Sequence, residues 1–230
     1  MSFDVIINHL PFLMKGLLVT LKVAFFSMIL SLFFGTILGV IRFSKVPVLS
    51  NLVGLFVDIT RSIPLILYII FIHYSVSPYL YAQADFLRYI GVDSLEMYSA
   101  ILGIVAFTSA YIAEIIRSGL SSIEKEQILA AKALALSDFQ IMEFVILPQA
   151  ISRMRPALCS QCVTLVKDTS LASAIGLIEL TRASEIVYET SLHEFQILLF
   201  VALIYVSINF LIQKILFPQE SKYPLGVYID

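Results

Sequence analysis

The stretch Glu124–Pro148, EKEQILAAKALALSDFQIMEFVILP, is a polar, alanine-rich insert between segments apolar enough to cross a membrane. Val19 to Ile41, for example, carries Lys22 as its single charge before Arg42. About 20 apolar residues cover the hydrocarbon of a bilayer. The insert is therefore the water-facing handle of a chain whose bulk lies in lipid.

Composition agrees. The chain is 59% hydrophobic and 14% charged, with a mean hydropathy of +0.93, against roughly 45–50% and 25% in soluble domains. That excludes a soluble fold. A net charge of -2 gives no reason to expect nucleic acid.

Five apolar helical segments are expected, at 13–41, 53–80, 98–118, 157–179 and 194–217, and their pattern is not the alternation of a barrel. Asp58, Arg61 and Pro64 interrupt the second, so its first turns lie along the interface or line a cavity before a true span from about Ile63. Five crossings put the termini on opposite sides. With the N-terminus outside, Arg42, Lys45, Arg117, Lys125, Lys132, Arg153, Arg155, Lys214 and Lys222 are inside, against Lys15, Arg88 and Arg182 outside. The positive-inside tendency selects that orientation and makes the insert cytoplasmic. The N-terminus has no basic leader or small-residue cleavage site, so the first helix is expected to remain as a span.

Within the insert, Ser121 with Glu124 and Ser137 with Gln140 both fit a capping box. Two short helices are expected to meet near Ser137. The first, about Ile123 to Leu136, would gather Ile123, Ala130, Ala131 and Leu134 on one face. Such a helix either docks a partner or rests on the bilayer. Cys159 and Cys162 form a C-x-x-C without flanking partners and read as packing residues. His9, His73 and His193 lie on separate segments, so no metal is expected. No G-x-x-x-x-G-K-[ST] occurs, so this chain is not expected to hydrolyse ATP.

Arg61 could meet a substrate carboxylate or pair with Asp58. Glu114, with Arg61, Lys167, Asp168, Thr169 and Ser170 a candidate for the substrate path, shares a helix face with Arg117, and the two read as a salt bridge. Lys167 and Asp168 point about 100° apart, so at least one needs another partner. A cavity with one cation and one anion suits an amino acid, and this pair is compatible with that. Thr169, Ser170 and Ser173 either add hydrogen bonds or let helices approach closely.

Several stretches carry a resemblance in order: Thr20-Leu21, Arg42-Phe43-Ser44, Arg61-Ser62-Ile63-Pro64-Leu65, Ala110-Tyr111-Ile112-Ala113-Glu114-Ile115-Ile116-Arg117, the insert, Leu147-Pro148-Gln149-Ala150, and Lys167-Asp168-Thr169-Ser170-Leu171. Nearly end to end, the chain resembles the permease subunit of bacterial polar amino-acid ABC importers, the histidine/glutamine type. The resemblance implies an all-α ABC type I importer protomer that forms the translocation path in the inner membrane. Its implied partners are a cytoplasmic ABC ATPase dimer holding ATP and Mg, a second permease copy or paralogue, and an extracytoplasmic amino-acid-binding protein. It also implies that Gln127, Leu129, Ala130, Ala131, Leu134 and Ala135 form a coupling helix. Within that motif this chain has Leu129 for a Glu, Ala135 for a Gly and Glu126 for a Gly. The Gly-to-Ala change is expected to raise helix propensity by about 0.8–1 kcal/mol. A non-transporting scaffold and a membrane-embedded enzyme are the alternative readings.

Overall fold

A computed structural model describes residues 4–44, 46–81, 89 and 91–216. Lys45, Arg88, Lys222 and Phe217, which enter the charge count and the last segment, lie outside the described residues. Helices and turns make up the fold, with no strand among the described residues.

Helix α1, Asp4–Phe43, is 40 residues long, about 60 Å at 1.5 Å per residue, and so exceeds the roughly 30 Å of hydrocarbon. From Ala24 onward its buried residues are all small: Ala24, Ser27, Ser31, Gly35 and Gly39. Small residues let backbones approach closely. A Cβ on Gly35 would lie 2.6 Å from the Ile112 Cβ, and one on Gly39 would lie 2.7 Å from the Ile116 Cβ. Phe25, Phe33 and Ile29 of the same helix point outward, as lipid-facing residues should.

Helix α2, Pro47–Ser62, and α3, Leu65–Phe71, are bent by 105° at Ile63-Pro64. Proline drives the residue before it out of the helical region, and Ile63 is extended, with ψ 136°. The interruption read from Asp58, Arg61 and Pro64 is thus a separate helix that precedes the span. A π-helical turn, Ile72–Val76, leads into α4, Ser77–Tyr81.

Helix α5, Leu95–Ser121, starts at Ser94, whose side chain accepts the Met97 N–H. Next come α6, Lys125–Ala133, and α7, Asp138–Ile141, followed by a second π-helical turn, Met142–Ile146. Helix α8, Leu147–Asp168, tightens into a 3₁₀ segment, Thr169–Ile175, that stops at left-handed Gly176. Helices α9, Leu180–Ser191, and α10, Glu194–Leu216, complete the order. Each π turn ends two residues before a proline, Pro78 or Pro148. The proline ring clashes with the carbonyl four residues back, and a wider turn relieves that clash.

Among the described residues, α1, α5 and α10 are each long and apolar enough to cross a membrane, and the bent α2–α4 unit meets the same test only when taken together, as a broken span or a re-entrant loop. The expected continuous fourth segment, 157–179, is not one helix, because its regular helix ends at Asp168.

Four apolar clusters organise the packing, the smallest joining α2 to α5 through Val53, Val57, Ala110 and Ala113. The central one joins α1, α3, α5, α8 and the 3₁₀ segment through Val23, Ile69, Ile104, Leu165 and Ile175. At one end Leu13, Ala183, Val187 and Ile197 tie α9 to α1 and α10. At the other, Leu120, Ile123, Ala131, Ile141, Ile146 and Met154 hold the insert to the bundle.

Candidate functional site

The insert forms an elbow. At its far corner Ser137 and Gln140 make the expected reciprocal cap, Ser137 N–H donating to Gln140 Oε1 at 2.9 Å and Gln140 N–H to Ser137 Oγ at 3.3 Å. The other expected box does not form. Ser121 is absorbed into the last turn of α5, and Glu124 occupies the N-cap of α6 without a side-chain bond.

Helix α6 is shorter than the expected 123–136. It ends in a Schellman turn: Ala135 N–H donates to Lys132 O at 2.9 Å and Leu136 N–H to Ala131 O at 3.2 Å. Ala135 stands in the left-handed position, with φ 57°. The Gly-to-Ala departure thus falls on a turn position rather than inside the helix. It places a Cβ where glycine is favoured.

The expected single face also divides. Ile123 and Ala131 are turned into the core, whereas Ala130 is exposed and Leu134 is 77% exposed. Ala130 and Ala131 cannot share a bearing, since neighbours on a helix differ by about 100°. Leu129 and Phe139 project outward beside Leu134. Of the residues assigned to coupling, Leu129, Ala130, Leu134 and Ala135 present a surface, Ala131 anchors it, and Gln127 is half-buried. Gln127 Oε1 accepts a hydrogen bond from Gln149 Nε2 at 2.7 Å.

A charge cluster sits where α1, α2 and α5 meet. Arg42 bonds Asp58 at 2.9 Å and Glu114 at 2.5 Å, and Arg117 closes on the other Glu114 oxygen at 2.5 Å. The expected Glu114–Arg117 bridge is present. The Asp58–Arg61 pair is not, because Arg42 takes Asp58 while the Arg61 guanidinium lies 5.2 Å above the Tyr111 ring. Four side chains on three helices thus share one partly buried network, which resists screening better than an isolated exposed pair.

Lys167 and Asp168 lie at the end of α8. Neither makes an ion pair among the described residues, so the expected second partner does not appear there. Lys167 borders an open cleft of about 430 Å³ with Ser160, Thr164 and Gln213. Thr169 and Ser170 donate to the carbonyls of Val166 and Lys167 at 2.8 and 2.7 Å, which spends their protons locally. No hydrogen bond or ion pair joins this group to Arg61 or Glu114 among the described residues. Cys159 and Cys162 are free thiols, and Cys162 lies 3.5 Å from the Met28 sulfur.

Glu179 was not singled out from the sequence. Fully buried, it caps α9 by accepting the N–H groups of Thr181 and Arg182 at 2.9 and 2.8 Å. It also accepts the hydroxyls of Thr20 at 3.3 Å and Tyr205 at 3.1 Å, tying α1 and α10 to that cap.

Residues 31–217 match the model of a family described as binding-protein-dependent transport system inner membrane component. The chain is 44% identical over 206 residues to the "Probable glutamine ABC transporter permease protein GlnP" of Bacillus subtilis, covering 88% of this chain and 89% of that one. It is 31% identical over 204 residues to the glutamate/aspartate import permease protein GltK of Escherichia coli O6:H1, covering 89% and 90%. Among solved structures, an amino acid ABC transporter crystallised with histidines aligns with a TM-score of 0.80 at 24% identity, covering 94% of this chain and 96% of that one. The inward-facing MetNI methionine ABC transporter aligns with a TM-score of 0.69 at 23% identity, over 94% and 98%. These two likenesses concern the fold.

Proposed function

The chain belongs to the family of binding-protein-dependent transport system inner membrane components and is a permease subunit of an ABC importer; from that premise we propose that its cargo is an amino acid and that the α6–α7 elbow docks a separate cytoplasmic ATPase. Its place is the membrane, as a multi-pass protein, and it is a transport subunit rather than an enzyme. In this reading it crosses five times, N-terminus outside, and pairs with a second permease copy or paralogue. ATP and Mg reside on the ATPase dimer, and an extracytoplasmic binding protein delivers the substrate.

One observation carries the docking: Leu129, Leu134 and Phe139 are 64%, 77% and 75% exposed on a segment whose neighbours include Glu126, Lys132 and Asp138. Charged residues so interleaved suit a wet protein groove better than acyl chains. The amino-acid cargo rests on the names of the relatives and on Lys167, which borders a cleft with Ser160, Thr164 and Gln213 and is followed in sequence by Asp168. Co-purification of the tagged permease from its native membrane should bring down a P-loop ATPase, and Leu134→Asp with Phe139→Asp should lose it. An ATPase that stays bound to the double variant would remove the elbow from the interface. The altered motif letters favour a scaffold as second reading, and unimpaired uptake by assembled Lys167→Ala and Asp168→Ala variants would support it.

A further inference from the structure

Gln149 spends both protons of its side-chain amide inside the protein: Nε2 reaches Gln127 Oε1 at 2.7 Å and Val145 O at 2.9 Å. These partners belong to different pieces. Gln127 is in the first turn of α6, Val145 is in the π-helical turn, and Gln149 is in the first turn of α8. All three are half-buried. From Gln149 the α8 helix continues through Pro156 to Lys167 and Asp168, the full helix being about 33 Å long. Elsewhere α6 reaches α8 by apolar contact through Ala131, Ile146 and Met154. Such contacts allow sliding, whereas the directional Gln149–Gln127 bond, with Val145 O holding the amide in place, fixes a bearing.

We infer that Gln149 is a positioning residue of the coupling machinery: through Gln127 it locks the elbow to the base of α8, so that displacement of the elbow turns the helix bearing Lys167. The inference rests on the proposed docking of an ATPase. It assigns Gln127 an inward role, leaving Leu129, Leu134 and Phe139 as the outward contacts. An acceptor on residue 127 and a donor on residue 149 are both required, so removing either should have the same effect as removing both.

The test uses the complete importer, with ATPase and binding protein, in proteoliposomes. Gln149→Met keeps the size of the side chain and deletes its polar atoms; Gln127→Met does the same across the contact. Each should lower substrate transported per ATP hydrolysed by about fivefold, the factor one ordinary hydrogen bond represents. The double variant should be no worse than either single one, the mark of a shared interaction. A merely structural contribution would lower the melting temperature and leave transport per ATP unmoved, which would overturn the inference. Losses that multiply in the double variant would overturn it too. Should Gln149→Met fail to assemble, Gln127→Met alone reads the same joint. Failure of the parent permease to bind an ATPase would instead defeat the docking proposal.

Discussion

Replacing Ala135 with glycine should tighten the elbow. A non-glycine residue in the left-handed region costs roughly 1–2 kcal/mol, and Ala135 sits there with φ 57°. Glycine removes that cost but loses roughly 0.5–1 kcal/mol more backbone freedom on folding. The net gain for Ala135→Gly is about 0.5–1 kcal/mol, or a factor of about two to five in local opening. The amides that report it are those of Leu134, Ala135 and Leu136, which donate to Ala130, Lys132 and Ala131. Hydrogen exchange of the purified complex, corrected for intrinsic rates, should slow at these positions by that factor. Ala135→Val should accelerate it, because a β-branched side chain is a strong outlier at positive φ. Unchanged or faster exchange in the glycine variant would refute the account of the turn.

Two further substitutions probe the bundle. Gly35→Ala would put its Cβ 2.6 Å from the Ile112 Cβ and 2.9 Å from the Ser109 carbonyl oxygen, an overpacking worth about 1–3 kcal/mol; its melting temperature in detergent should fall, while Gly54→Ala, whose nearest neighbour is Arg42 Nε at 3.6 Å, should stay near the parent. Glu179→Ala strips two capping and two hydroxyl bonds from a buried junction and should cost about 3 kcal/mol, seen as earlier loss of helical signal on heating.

Much of the architecture was legible because hydropathy and proline act locally. The apolar runs of α1, α5 and α10, the break at Pro64 and the Ser137–Gln140 cap each need only neighbours in sequence. The misreadings come from competition. Ser121 could have capped α6, but α5 continued through it. Pairing with Asp58 one turn away is one of two roles the sequence leaves open for Arg61, yet Asp58 is taken by Arg42 of α1, and Arg61 is left to stack on Tyr111. Helical character across 169–175 gave no sign of tightening to 3₁₀. Glu179 carries no local signal of importance, since Thr20 and Tyr205 are its partners only in three dimensions. Gln149 stood in the quoted Leu-Pro-Gln-Ala stretch, but its link to Gln127 depends on how the elbow folds back.

The π turn at Met142–Ile146 also has a phase. It holds about one residue more than an α-helical path of the same length would, and one residue is about 100° of rotation for everything downstream. The direction in which Ser160, Thr164 and Lys167 face their cleft is thus set relative to the elbow by the turn at the foot of the helix. Pro148 stabilises that offset, so the orientation of a polar stripe along α8 is encoded by a proline at the foot of the helix.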